Sequence, residues 1–161
     1  MLQFLPPPLL GTVMMVLLIL NTLFWMVPVY ATTLLKLLAP KGPARDKVSE
    51  WVAWGAQTWA SVDVWIANRL LRVQWDVRGV EKLDRRGQYL VCSNHQSWND
   101  IFVLMHAFDR RAPFFKFFIK QQLIWVPVLG LAWWGLDYPF MKRYSAAKLA
   151  KHPELRGKDL E

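Results

Sequence analysis

The sequence runs to 161 residues, more than half of them hydrophobic, with 20 basic side chains against 12 acidic ones. That apolar and aromatic content excludes a disordered chain, and a single cysteine with only 8 glycines excludes a disulfide-stapled or collagen-like fold. Charge is unevenly placed: residues 1–35 contain no Asp, Glu, Lys or Arg, and the remainder has the charge density of an ordinary soluble domain.

The first element is the apolar run from Leu9 to Leu35, broken only by Gly11, Thr12, Asn21, Thr22, Pro28, Thr32 and Thr33. A helix needs about 20 mostly apolar residues to cross a bilayer, and Pro6, Pro7 and Pro8 suit a helix start. The run lacks the basic leader and exceeds the short core of a cleaved signal peptide. It therefore predicts an uncleaved transmembrane anchor, with its linker, over residues 1–43. Lys36, Lys41, Arg45 and Lys47 follow the run, so the positive-inside rule places the rest of the chain in the cytoplasm. A lone reduced Cys92 suits that side.

After the breaker Ala39-Pro40-Lys41-Gly42-Pro43, residues 44–71 read as an amphipathic helix. At about 100° per residue, Trp51, Trp54, Thr58, Val62 and Trp65 share a stripe flanked by Val48, Gly55, Trp59 and Ile66. Such a stripe serves either to pack on the rest of the chain or to lie at the bilayer surface, where indoles favour the headgroup region. Both readings hold the following domain near the membrane.

Residues 72–161 form that domain. Val73, Trp75 and Val77 alternate with polar residues as in a half-buried strand, and Asp84-Arg85-Arg86-Gly87 is a turn. Tyr89-Leu90-Val91-Cys92 reads as a buried strand, with Cys92 a small hydrophobe within it. It leads into Ser93-Asn94-His95-Gln96-Ser97-Trp98-Asn99-Asp100 and an apolar helix from Ile101 to Phe108. Polar residues at the carboxyl end of a strand, before a helix, occupy the place where α/β folds put their chemistry. An imidazole there can take a proton from a hydroxyl while a carboxylate on its other nitrogen fixes the tautomer. The competing reading is structural, since Ser97 to Asp100 also fits a capping box. A metal site is not indicated: neither His106 nor His152 has helical ligand spacing to His95, and there is no cysteine pair.

Asn94-His95-Gln96-Ser97-Trp98-Asn99-Asp100 resembles the NHxxxxD motif of the glycerophospholipid acyltransferases, the lysophosphatidic acid acyltransferase superfamily. Phe117 to Leu123, then Val126-Pro127-Val128-Leu129-Gly130, resembles the segment that follows that motif. Gly135 with Phe140-Met141-Lys142-Arg143 resembles the second motif. The flavour is similar to a bacterial membrane branch related to lysocardiolipin acyltransferases, which implies an inner-membrane location. The resemblance implies that His95 is the general base on a lysophospholipid hydroxyl and that Asp100 orients it. Arg143 would hold the acceptor phosphate. The acyl donor would be a thioester of coenzyme A or acyl carrier protein, with no bound cofactor and no metal.

In the second half, Gln121 to Leu136 carries no charge, but Pro127 and Gly130 break it and it is short for a second span. It reads as a buried or interface-dipping helix pair. Residues 145–150 read as a short helix before a charged tail. The net charge of +8 is scattered, which favours anionic headgroups and phosphate-bearing donors over nucleic acid. The expected partners are thus membrane lipids, a lysophospholipid acceptor and the acyl thioester.

The expected fold is α/β: a transmembrane helix and an amphipathic helix, then the first part of a mixed-sheet glycerolipid acyltransferase domain. The family's third motif, a Glu-Gly-Thr-Arg-like run, is absent after Arg143, so the chain reads as truncated before it. The alternative expectation is accordingly a lipid-binding fragment that turns nothing over. A thioesterase using the same His-Asp pair on water is a more distant one.

Overall fold

The computed structural model describes residues 5–71, 73–97, 99–142, 144, 146–155 and 157. It is mostly helical, with one long apolar N-terminal helix and one small parallel sheet. By contacts the chain divides into two compact units, Met1–Pro28 with Ala53–Phe115, and Val29–Val52 with Lys116–Glu161.

Helix α1 spans Pro7–Leu38 and α2 spans Pro43–Leu70. Proline at the first position of each has no amide hydrogen to leave unpaired. Between them Gly42 adopts φ +128, a conformation that L side chains rarely reach. Helix α1 is long and apolar enough to cross a membrane.

In the first unit, α1 and α2 run antiparallel. The Asn21 amide donates to the Trp59 carbonyl and to Asp63 Oδ1, the Trp59 indole donates to Thr22, and Trp25 meets Trp54 edge to face. The inward face of α2 is made of Ala56, Ala60, Asp63, Val64, Ala67 and Leu70, all buried. Small side chains at that spacing let two helix backbones approach closely. The tryptophan stripe points the other way: Trp51, Trp54 and Trp65 are 49%, 60% and 58% exposed. The stripe is thus turned outward at Trp51 and Trp65, while Trp54 also meets Trp25 and the flanking Trp59 and Ile66 pack inward.

Helix α3, Asn99–Phe108, completes the ordered elements of this unit. Its polar links to α2 are Ser61 to Asp109 and Asn68 to His106. The expected strands on either side of Gly79 do not form ladders. Residues 73–78 and 89–95 carry no strand pairing, and Leu90 and Cys92 are exposed rather than buried. A strand is stabilised by neighbours that take its backbone groups. Among the described residues neither segment has one. Trp75 instead holds its segment by a side chain, stacking on His106 at 3.9 Å and donating to Asn68.

The second unit contains the sheet. Strand β1, Ile119–Lys120, pairs in parallel with β2, Phe140–Met141, in the register Ile119 to Phe140. Parallel neighbours need a crossover. A short 3₁₀ helix, Gln121–Trp125, and helix α4, Leu129–Gly135, supply it. The uncharged segment thus folds as two short helices broken at Pro127, as its sequence implies. Helix α5, Ala146–Lys151, follows.

The end of α1 docks on this crossover. Tyr30 donates its hydroxyl proton to the Val128 carbonyl, and buried Lys36 donates to the Gly135 carbonyl at 2.9 Å and pairs with Asp137. Gly135 lies so close to Thr33 that a Cβ there would stand 2.3 Å from its hydroxyl oxygen. Lys36, counted with the flanking cations in the sequence, is consumed inside the fold.

Candidate active site

The segment Ser93 to Ser97 reaches the start of α3 without regular structure. There the backbone must satisfy the unpaired amides of a first helical turn. Asp100 does this from inside the turn. Its Oδ2 accepts the Gln96 amide at 2.5 Å and the Ser97 amide at 2.8 Å, while Ser97 Oγ accepts the Asn99 amide at 3.2 Å. Side chain and backbone thus close a reciprocal cap of the kind that Ser-x-x-Asp spells.

His95 comes to the same oxygen, with Nδ1 3.2 Å from Asp100 Oδ2. The structural and the chemical readings of the motif are therefore not alternatives. One carboxylate oxygen caps the helix and orients the imidazole. The backbone amide of Ser97, then that of Gln96, holds the Asp100 carboxyl below the ordinary carboxylate range, with His95 adding less. An ionised Asp100 favours the tautomer with the proton on Nδ1, leaving the Nε2 lone pair for a substrate. The His95 side chain is 68% exposed, open to a molecule arriving from outside.

The Ser97-to-Asp100 spacing implies the cap on the Ser97 amide, but sequence reasoning did not foresee the Gln96 amide as a second group that fixes Asp100. His106 has a structural place, stacked on Trp75. Burial first, then the Arg111 cation, lowers its basicity, against a smaller opposing effect of Asp109. His152 faces Glu154 at 3.0 Å. Arg143, the expected phosphate ligand, lies outside the described residues; Phe140 and Met141 of its motif form β2.

The comparisons with known proteins bear on the family alone. No curated protein and no solved structure matches the chain. The acyltransferase family model matches residues 74–157, just over half of the sequence, taking in His95, Asp100 and the β1-to-β2 crossover. By that match the chain belongs to the acyltransferase family.

Proposed function

We propose that the protein moves a fatty acyl group from a thioester, of coenzyme A or of acyl carrier protein, to the free hydroxyl of a lysophospholipid such as lysophosphatidic acid. The observation that carries the reading is the His95–Asp100 pair on a backbone-anchored carboxylate. In this scheme His95 Nε2 takes the hydroxyl proton as the oxygen attacks the thioester carbonyl. The tetrahedral intermediate then collapses, the C–S bond breaks, and the departing sulfur receives that proton from the imidazolium. Asp100 balances the charge on His95 in between. Arg143 is assigned to the acceptor phosphate, for which a planar, permanently charged guanidinium is suited. The donor brings the reactive acyl group itself, so the scheme needs neither metal nor bound cofactor.

Membrane attachment belongs to the same reading. The outward Leu23, Phe24 and Val27 of α1 and the exposed Trp51, Trp54 and Trp65 of α2 suit a hydrocarbon and headgroup boundary. An exposed, unpaired Cys92 fits the reducing cytoplasmic face, here the inner membrane of a bacterium. The test is acyl transfer to a lysophospholipid by the purified chain in lipid. His95→Ala is expected to abolish transfer while membrane attachment is kept. Wild-type transfer by that variant refutes the mechanism, and free fatty acid released without an acceptor identifies a hydrolase instead.

A further inference from the structure

Two loops far apart in sequence converge at the end of α3 remote from His95. Arg85 and Arg86 come from the turn after Gly79, and Arg110 and Arg111 follow the last turn of α3. Together they line an open cleft of about 510 Å³. Four arginines share its lining with only two acidic residues, Glu81 and Asp84. Asp84 is occupied with its own turn, where Oδ1 accepts the Arg86 amide at 2.9 Å. Arg111 donates to the Ala107 carbonyl at 3.2 Å. Among the described residues, none of the four arginines forms an ion pair. Like charges gathered in a concavity with half as many counter-charges repel one another, and an anion is what relieves them.

Distance decides which anion. Helix α3 has 10 residues, so its two ends stand about 15 Å apart. The phosphate of a lysophospholipid lies next to the hydroxyl that reacts, so with that hydroxyl at His95 it cannot reach the cleft. A thioester donor differs: its pantetheine arm, extended, separates the reacting carbonyl from the phosphates by a length of this order. We propose that the cleft of Arg85, Arg86, Arg110 and Arg111 takes the nucleotide phosphates of a coenzyme A thioester, a proposal that rests on the acyl-transfer reading. Several phosphate oxygens on one ligand match several guanidiniums, each able to grip two oxygens at once. The pantetheine arm then runs along α3 and delivers the thioester to His95. The same positive cleft would suit an anionic membrane headgroup or the acidic surface of a carrier protein less well, because neither needs that spacing from the imidazole.

The experiment is equilibrium binding of coenzyme A to the full chain in lipid nanodiscs, with dephospho-coenzyme A and pantetheine as the truncated probes. Wild type is expected to bind coenzyme A most tightly and pantetheine hardly at all. The double variant Arg85→Gln/Arg86→Gln leaves the turn's backbone bonds in place and should weaken coenzyme A binding at least tenfold. Arg110→Gln alone should weaken it severalfold. Circular dichroism and a thermal melt check that each variant folds. Unchanged coenzyme A binding by the folded double variant overturns the proposal. So does a variant that loses only its affinity for phosphatidylglycerol vesicles, or only its transfer from acyl carrier protein. Binding repeated in a His95→Ala background separates the two readings. Arginine-dependent binding that persists there, even if no form of the chain transfers acyl groups, supports the cleft while the transfer reading fails.

Discussion

Asp100 Oδ2 receives two backbone amides and faces an imidazole, so a change at this atom tests both of its duties. In Asp100→Asn the amide oxygen can still accept the backbone hydrogens. That oxygen also keeps the Nδ1 proton of His95, but the negative charge that balances the imidazolium is lost. Acyl transfer is expected to fall by roughly a hundredfold or more, while far-UV circular dichroism keeps the helical signal. Transfer at the wild-type rate would remove Asp100 from the mechanism. Protonation gives the same carboxylate a pH signature. Its native pKa lies below the ordinary 3.8, so its contribution to stability is complete above that value and is lost as pH falls through the lower native one. Between pH 5 and 8 the carboxylate therefore stays ionised, and the cap adds no slope to stability there. The pair was legible because one unbroken string, Asn94 to Asp100, spells both the motif and the cap.

The helices carry two polar features that neither periodicity nor motif reveals. Asp63 is 4% exposed on the inner face of α2, and its pKa is raised to about 6 by burial, against the opposing hydrogen bond from Asn21. The folded state holds this proton more tightly than the unfolded one. Its contribution is thus complete below pH 3.8, declines as pH rises to about 6, and is flat beyond. At pH 7 the lost stability is on the order of 2–3 kcal/mol. Asp63→Asn is expected to recover most of it, raising Tm at pH 7 and flattening the Tm profile between pH 4 and 6. An unchanged profile would show that Asp63 is solvated in the folded state. Gly135 is the other feature. Alanine normally favours a helix over glycine by about 1 kcal/mol, but here its Cβ would press on the Thr33 hydroxyl at 2.3 Å. Overpacking of that kind costs about 1–3 kcal/mol, so Gly135→Ala should lower Tm, and Thr33→Ala added to it should restore part of the loss. A rise in Tm on Gly135→Ala alone would mean that α1 and α4 are not held this closely. Helix positions were legible in the sequence, since proline, glycine and apolar spacing are local signals. Helix faces were legible only in part: Trp51 and Trp65 of the apolar stripe are exposed, whereas Ala56, Ala60 and Ala67 are buried. The strands expected at 73–78 and 89–92 have strand-like patterns but no ladder, because pairing depends on residues distant in sequence.

For the molecule as a whole, the open physical question is how its apolar helix meets the bilayer. Length and hydropathy alone let α1 cross. Its neighbours argue for another placement. Asn21 and Thr22 sit in the middle of the apolar run, and they are bonded to Trp59 and Asp63 of α2. Two residues from Trp59, Ser61 in turn reaches Asp109 beyond α3. A crossing α1 would carry both carboxylates to the depth of the bilayer centre, where a charged side chain costs about 2.5–3.5 kcal/mol even on the lower scales. A hairpin lying along one leaflet avoids that cost. It keeps Leu23, Phe24 and Val27 in hydrocarbon and the exposed indoles at the headgroups, and it holds the polar residues away from the bilayer centre. The positive cluster Lys41, Arg45 and Lys47 then binds anionic lipid, each cation contributing about 1 kcal/mol. The placement is tested with single cysteines at Pro6→Cys and Lys41→Cys, on either side of α1, in a Cys92→Ser background. In inside-out membrane vesicles both are expected to react with a membrane-impermeant maleimide added from outside. If Lys41→Cys reacts while Pro6→Cys reacts only after detergent, α1 crosses the membrane and the hairpin must open to let it do so.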